Sequence, residues 1–170
     1  LNLLRKEGKK DAGRFIGAVL GILMVVAGGV SLIGILLAPI LVPIFFFRWD
    51  PQKIELTTVM VQILFPMTAV LVISAWALAI LNSHRRFFVS YVAPVGWNGA
   101  IILTMAGLGF GLGWTGPELL LAVAWGAFGG GIIQLMVQIP YVVTLLEHFR
   151  ISLSRTVSGI NDAIRNFTPV

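Results

Sequence analysis

The 170-residue sequence contains no cysteine, which excludes disulfides, thiolate metal sites and a cysteine nucleophile together. Charge is nearly as scarce. Only 11% of residues are charged, where a soluble domain carries about a quarter. The two histidines and seven acids are scattered over short connections. They form neither a metal-ligand spacing nor an enzyme signature, so no catalytic residue, no metal and no cofactor is assigned. Four stretches carry no lysine, arginine, histidine or acid at all: Phe15–Phe47, Leu56–Leu81, Phe87–Leu112 and Leu119–Leu146. An ion- or proton-coupled site inside a membrane shows such a group, because burying a charge there costs at least ~2.5 kcal/mol and is kept for a reason. Coupling chemistry is therefore not visible in these stretches.

What remains is apolar. Hydrophobic residues make up 58% of the chain, with a mean hydropathy of +0.96. Each uncharged stretch exceeds the ~20 residues that cross a bilayer as a helix. The expected fold class is an all-α polytopic membrane helix bundle of four transmembrane helices. Residues 1–14 form a basic segment ahead of it, helical into the first span. Residues 147–170 follow it, and in Glu147–Phe167 the apolar positions Phe149, Leu153, Val157, Ile160, Ile164 and Phe167 recur at helical steps. That pattern predicts an amphipathic helix in the membrane interface, leading toward a further helix. A secretory signal has a short apolar core, unlike the long run from Phe15. Residue 1 is leucine, and the chain is expected to be part of a longer protein.

Ten of the twelve basic residues lie before Phe15, at Arg85-Arg86 or after Leu146, and only Arg48 and Lys53 lie on the other side. The positive-inside rule therefore places both ends of the chain and the Arg85-Arg86 turn in the cytoplasm, with Trp49 and Trp114 at the outer interface. The net charge of +5 resides in membrane-flanking connections and not on one soluble face, so nucleic acid is not expected as a partner. At the central turn, Asn82, Arg85 and Arg86 run into Phe87, Phe88 and Tyr91, a basic corner with an aromatic collar. The two arginines are expected to anchor that corner against anionic lipid.

Within the spans, prolines and small or uncharged polar residues stand out. Pro39 and Pro43 are expected to bend or end the first span, Arg48–Glu55 to form a loop, and Pro66, Pro94 and Pro140 to interrupt the others. Each proline frees a backbone carbonyl, a device of transporters that rock between states. Gly17 with Gly21, and Gly28-Gly29, mark expected points of close helix approach. Gly107–Gly109 and Gly129–Gly131 have no lysine or strand beside them, so they too read as packing glycines, not phosphate loops. The polar set is Gln62, Ser74, Asn98, Thr104, Gln134, Gln138 and Thr144. Gln134 and Gln138 share one helix face. These amides serve either as hydrogen bonds between helices or as the wall of a polar substrate cavity. Asn98, Gln134 and Gln138 are the candidates for such a wall.

The turn Ile80-Leu81-Asn82-Ser83-His84-Arg85-Arg86-Phe87-Phe88-Val89, with Ala93-Pro94 and Asn98 after it, resembles the connection between the fourth and fifth helices of the MurJ/MviN lipid II flippases. Gly126-Ala127-Phe128-Gly129-Gly130 through Gln134, Gln138 and Pro140 is similar to that family's sixth helix. Arg14-Phe15 through Leu36-Leu37-Ala38-Pro39 resembles its third, and Asn161-Asp162-Ala163-Ile164-Arg165 to Pro169 the approach to its seventh. Ser90 and Gly96-Trp97 depart from the family, which commonly has proline and a leucine pair there. The resemblance implies part of the N-terminal lobe of a fourteen-helix MATE-like exporter. Such a protein carries lipid-linked peptidoglycan precursor across the bacterial inner membrane by alternating access. It further implies that the arginines holding the precursor's pyrophosphate lie on helices one, two and eight. None of them maps onto this chain, and Arg85 and Arg86 do not replace them. Two other readings stay open: a related polysaccharide or MATE-like exporter, and a small four-helix membrane scaffold that binds a partner.

Overall fold

The computed structural model describes residues 2–146, with side chains from residue 13 onward; the amphipathic segment expected at Glu147–Phe167 lies outside the described residues. Four helices account for nearly all of it: α1 (Asn2–Phe45), α2 (Pro51–Ser83), α3 (Phe87–Ala106) and α4 (Gly116–Leu145). No strand occurs among the described residues. The fold is all-α, and each helix includes a segment long and apolar enough to cross a membrane. In space the order differs from the chain order. α2 packs against both α1 and α4, and α3 packs on the far side of α4.

α1 has 44 residues and runs through both Pro39 and Pro43, so neither proline ends the span as expected. A proline at position i removes the N–H that would bond the carbonyl of residue i−4. For Pro39 that carbonyl belongs to Ile35, and the Gln62 side chain of α2 donates to it through Nε2 at 3.2 Å. One proline-freed acceptor is thus satisfied by the neighbouring helix, as a membrane interior demands. The buried face of α1 carries small residues at helical spacing: Ala27, Ser31, Gly34 and Ala38, ending at Val42. Ser31 Oγ donates to the Phe65 carbonyl at 2.8 Å, and a Cβ on Gly34 would collide with the Phe65 ring. Gly17 and Gly21 are buried. Gly28 and Gly29 are not points of close approach, since nothing lies within 4 Å of a Cβ built on either. Sequence spacing shows which residues are small but not which side of a helix has a neighbour.

The α1–α2 connection is shorter than the eight residues expected. α2 starts at Pro51, where Asp50 caps it by accepting from the Gln52 N–H at 3.0 Å, and a proline occupies the first turn. Asparagine or aspartate before proline is a common helix start, because the proline lacks an N–H that would go unbonded there. Phe46 and Trp49 stack over this turn with ring centroids 4.3 Å apart. At the far end of the third span, the α-helix passes into a π-helical turn over Gly107–Gly111. Gly113 and Gly116 then take positive φ angles of 70° and 62°, conformations open to glycine, and α4 begins at Gly116.

Where α2 ends and α3 begins, all four helices meet. Leu20, Trp76, Ala77, Ile80, Leu81, Val89 and Val142 form one buried cluster, with Ala77 and Leu81 fully enclosed. This buried cluster lies directly beneath the basic corner.

Candidate functional site

The corner itself is built from backbone hydrogen bonds. The Arg86 N–H donates to the Leu81 carbonyl at 2.8 Å, and the Arg85 N–H to the Asn82 carbonyl at 3.0 Å. This pair of bonds is the Schellman arrangement that closes helix C-termini. Its left-handed position is normally glycine, and here Arg85 holds it with φ 59°. The His84 ring adds a contact to the Ile80 carbonyl at 2.9 Å. Thus Asn82 contributes its carbonyl, Arg85 its backbone conformation, and Arg86 opens α3. All three side chains are exposed. Arg86 also lies on the wall of a groove of about 340 Å³ shared with Pro140, Tyr141, Thr144 and Leu145 of α4. Phe88 and Tyr91 project beside it, 79% and 72% exposed. A cation with exposed aromatics around it suits the headgroup level of a bilayer.

About two and a half helical turns deeper lies the second feature. Ser74 is nine residues before the end of α2, about 14 Å along its axis. Gln134 and Gln138 project from one face of α4 toward it. Gln134 Nε2 donates to Ser74 Oγ at 2.6 Å, and Ser74 Oγ donates to Gln138 Oε1 at 2.6 Å. Ser74, Gln134 and Gln138 are all buried, at 1%, 6% and 0% exposure. Among the described residues, Gln134 Oε1 and Gln138 Nε2 have no partner. The two glutamines paired by spacing are thus brought together as expected, and Ser74 is the third member that spacing alone did not attach to them. Ser74 was visible as one of the polar residues in an apolar span, but its link to α4 is a tertiary contact.

Asn98 does not join this cluster. It is exposed on α3 and donates through Nδ2 to the Pro94 carbonyl of its own helix at 3.0 Å. Thr104 behaves in the same local way, donating to the Ala100 carbonyl at 2.8 Å. The joint between α3 and α4 is made instead by Trp97, whose indole Nε1 donates to the Ala127 carbonyl at 3.0 Å. Sequence reasoning passed over that residue except as a departure from a family pattern. Glycine on α4 makes the approach possible. A Cβ on Gly130 would lie 2.9 Å from Ala100 Cβ and 3.0 Å from the Trp97 carbonyl oxygen, and one on Gly126 would collide with Thr104. Gly126 and Gly130 are one helical turn apart, the small-xxx-small pattern of tightly crossed membrane helices. Gly129 and Gly107 meet nothing within 4 Å, so they are not packing glycines.

Among the described residues no three histidine or carboxylate side chains come together. The spans are joined by hydrogen bonds between neutral groups, and the charged groups stay at the helix ends. This is the construction of a polytopic helical membrane protein, with close-crossing glycine joints and helices that run through their prolines. The family model described as "Lipid II flippase MurJ" matches residues 1–170, and the chain belongs to that family. A probable lipid II flippase MurJ from Rhizobium meliloti (strain 1021) is 28% identical over 141 residues, covering 79% of this chain and 25% of the relative. One from Haemophilus influenzae is 30% identical over 137 residues, covering 75% and 26%. One from Treponema pallidum is 27% identical over 148 residues, covering 87% and 26%. The chain spans about a quarter of the length of these curated relatives.

Proposed function

We propose that the chain supplies the third to sixth helices of a flippase that carries lipid-linked peptidoglycan precursor, lipid II, across the bacterial inner membrane by alternating access. The observation that carries this reading is the family match over all 170 residues, on a chain that folds into four membrane-length helices. The activity is transport and not catalysis. Its partners are the precursor, membrane lipids and the other helices of the same polypeptide. Asn98 on α3 is the one exposed wall candidate, whereas Gln134 and Gln138 hold α4 to α2. Residues 15–146 act as the bundle, residues 1–14 as its basic flank and residues 147–170 as the link to the next helix.

The test is a chimera. Residues 1–170 replace the matched segment of the Haemophilus influenzae relative, and the protein is reconstituted in liposomes with labelled lipid II. Translocation above the protein-free background is expected. A chimera that inserts and folds but leaves the precursor in its original leaflet refutes the reading.

Both ends of the chain and the Arg85-Arg86 corner face the cytoplasm in this proposal, by the excess of basic residues on that side. Since the chain has no cysteine, single-cysteine variants report cleanly. In intact cells an impermeant thiol reagent is expected to label Thr115→Cys and to spare Ser83→Cys. The opposite pattern inverts the topology.

A further inference from the structure

The Ser74–Gln134–Gln138 cluster has one property that its helix-joining role leaves unexplained. Two of its polar atoms, Gln134 Oε1 and Gln138 Nε2, are buried without a partner among the described residues. Both belong to side chains more than nine-tenths enclosed. In hydrocarbon such atoms are costly to leave unmade, and native proteins meet them with protein or with ordered water. Their pairing is informative. Ser74 Oγ accepts from one glutamine and donates to the other, so the chain of bonds has a direction. Turning both amides over and rotating the hydroxyl reverses that direction. One free acceptor and one free donor remain at the ends in either case, because a serine hydroxyl has a single proton.

We propose that this cluster is a binding site for one internal water molecule, which bridges Gln134 and Gln138 and closes a ring with Ser74. The ligand must donate and accept at once. It must also be small, since side chains this enclosed leave no route for an outside group. Water fulfils both conditions, and two to four hydrogen bonds are typical of a buried water. With the chain of bonds running in either direction, a sodium or potassium ion would meet an amide donor, and a chloride ion a carbonyl oxygen. The site therefore selects a neutral molecule. It sits beside Pro140, which leaves the Met136 carbonyl of α4 without its helical N–H donor. The hydrated ring and the missing ladder bond thus fall within one turn of each other, at the joint between α2 and α4. This inference rests on the cluster alone and holds whether or not the chain flips lipid.

The experiment is proton-detected solid-state NMR on the whole chain in lipid bilayers, with nitrogen-15 in the glutamine side chains. The chain has four glutamines, Gln52, Gln62, Gln134 and Gln138. Gln52→Asn and Gln62→Asn variants assign the first two signals, leaving the buried pair by elimination. Gln52, exposed at the start of α2, is the positive control for contact with water. A cross-peak from the buried pair to a retained water is expected, with shifts unchanged when sodium and potassium are replaced by a bulky organic cation. Buried amides that show no transfer from water while Gln52 does overturn the proposal. So does a shift that follows sodium concentration, which would mean that two carbonyl oxygens face the site and hold a cation.

Discussion

Replacing Gly130 by leucine is expected to push α3 away from α4 and to destabilise that half of the bundle. Even the first added carbon would lie 2.9 Å from Ala100 Cβ and 3.0 Å from the Trp97 carbonyl oxygen. The second of these is backbone and cannot rotate away, so the helices themselves must move apart. Moving apart also breaks the bond from Trp97 Nε1 to the Ala127 carbonyl and leaves the indole N–H unpaired in an apolar surrounding. Overpacking of a tight core costs about 1–3 kcal/mol, and the broken hydrogen bond adds to it. Lipid tails do not squeeze helices together as water does, so little else restores the contact. Gly129→Leu is the matched control, since a Cβ there meets nothing within 4 Å. The measurement is the unfolding temperature in detergent or bilayer. A drop of several degrees is expected for Gly130→Leu and almost none for Gly129→Leu. Equal effects would mean that α3 and α4 do not cross at Gly130.

The second large effect is all-or-none: residues 1–170 alone are expected to translocate no lipid-linked precursor, even when inserted and folded. A pyrophosphate headgroup carried through hydrocarbon needs cations or oriented helix termini along its path. The four uncharged stretches contain no lysine, arginine or histidine, and the cations of the described bundle lie at helix ends. The polar side chains that do lie within the membrane are turned to other work. Gln62 meets the Ile35 carbonyl, Ser31 the Phe65 carbonyl, and Gln134 and Gln138 hold Ser74. Only Asn98 is exposed among the wall candidates, and a neutral amide cannot balance two negative charges. Liposomes carrying the chain should match protein-free liposomes in a fluorescent-precursor assay, while the chimera described above flips. Flipping by the isolated chain would show a complete pathway within these helices.

The membrane class, the number of spans and the likeness to lipid II flippases were legible in the residues themselves. A long run without charge has one stable home, and the energetic penalty for a charge in hydrocarbon makes the pattern unambiguous. Helix ends were less legible. Pro39 and Pro43 looked like stops, because proline removes a hydrogen bond; the helix continues since Gln62 supplies one of the missing donors from α2. Arg48–Glu55 looked like a loop because it is polar, yet Asp50 and Pro51 start a helix inside it. The departures at Ser90 and Gly96-Trp97 were visible as differences without a role. The structure gives Trp97 one, as the donor that ties α3 to α4.

Sequence by itself determined what each span must satisfy: helical backbone, apolar flanks, and a partner for every polar group. Which partner each group found was a tertiary decision. Gln134 and Gln138 share a helix face by their spacing of four, a local property of any α-helix. Their bond to Ser74, 64 residues from Gln138 in the chain, exists because α2 lies between α1 and α4. Gly130 and Gly129 are identical neighbours in sequence, and only the position of α3 makes one of them indispensable. A one-dimensional pattern records the period of a helix but not the direction from which another helix approaches, and in a membrane that direction decides which polar atoms are met.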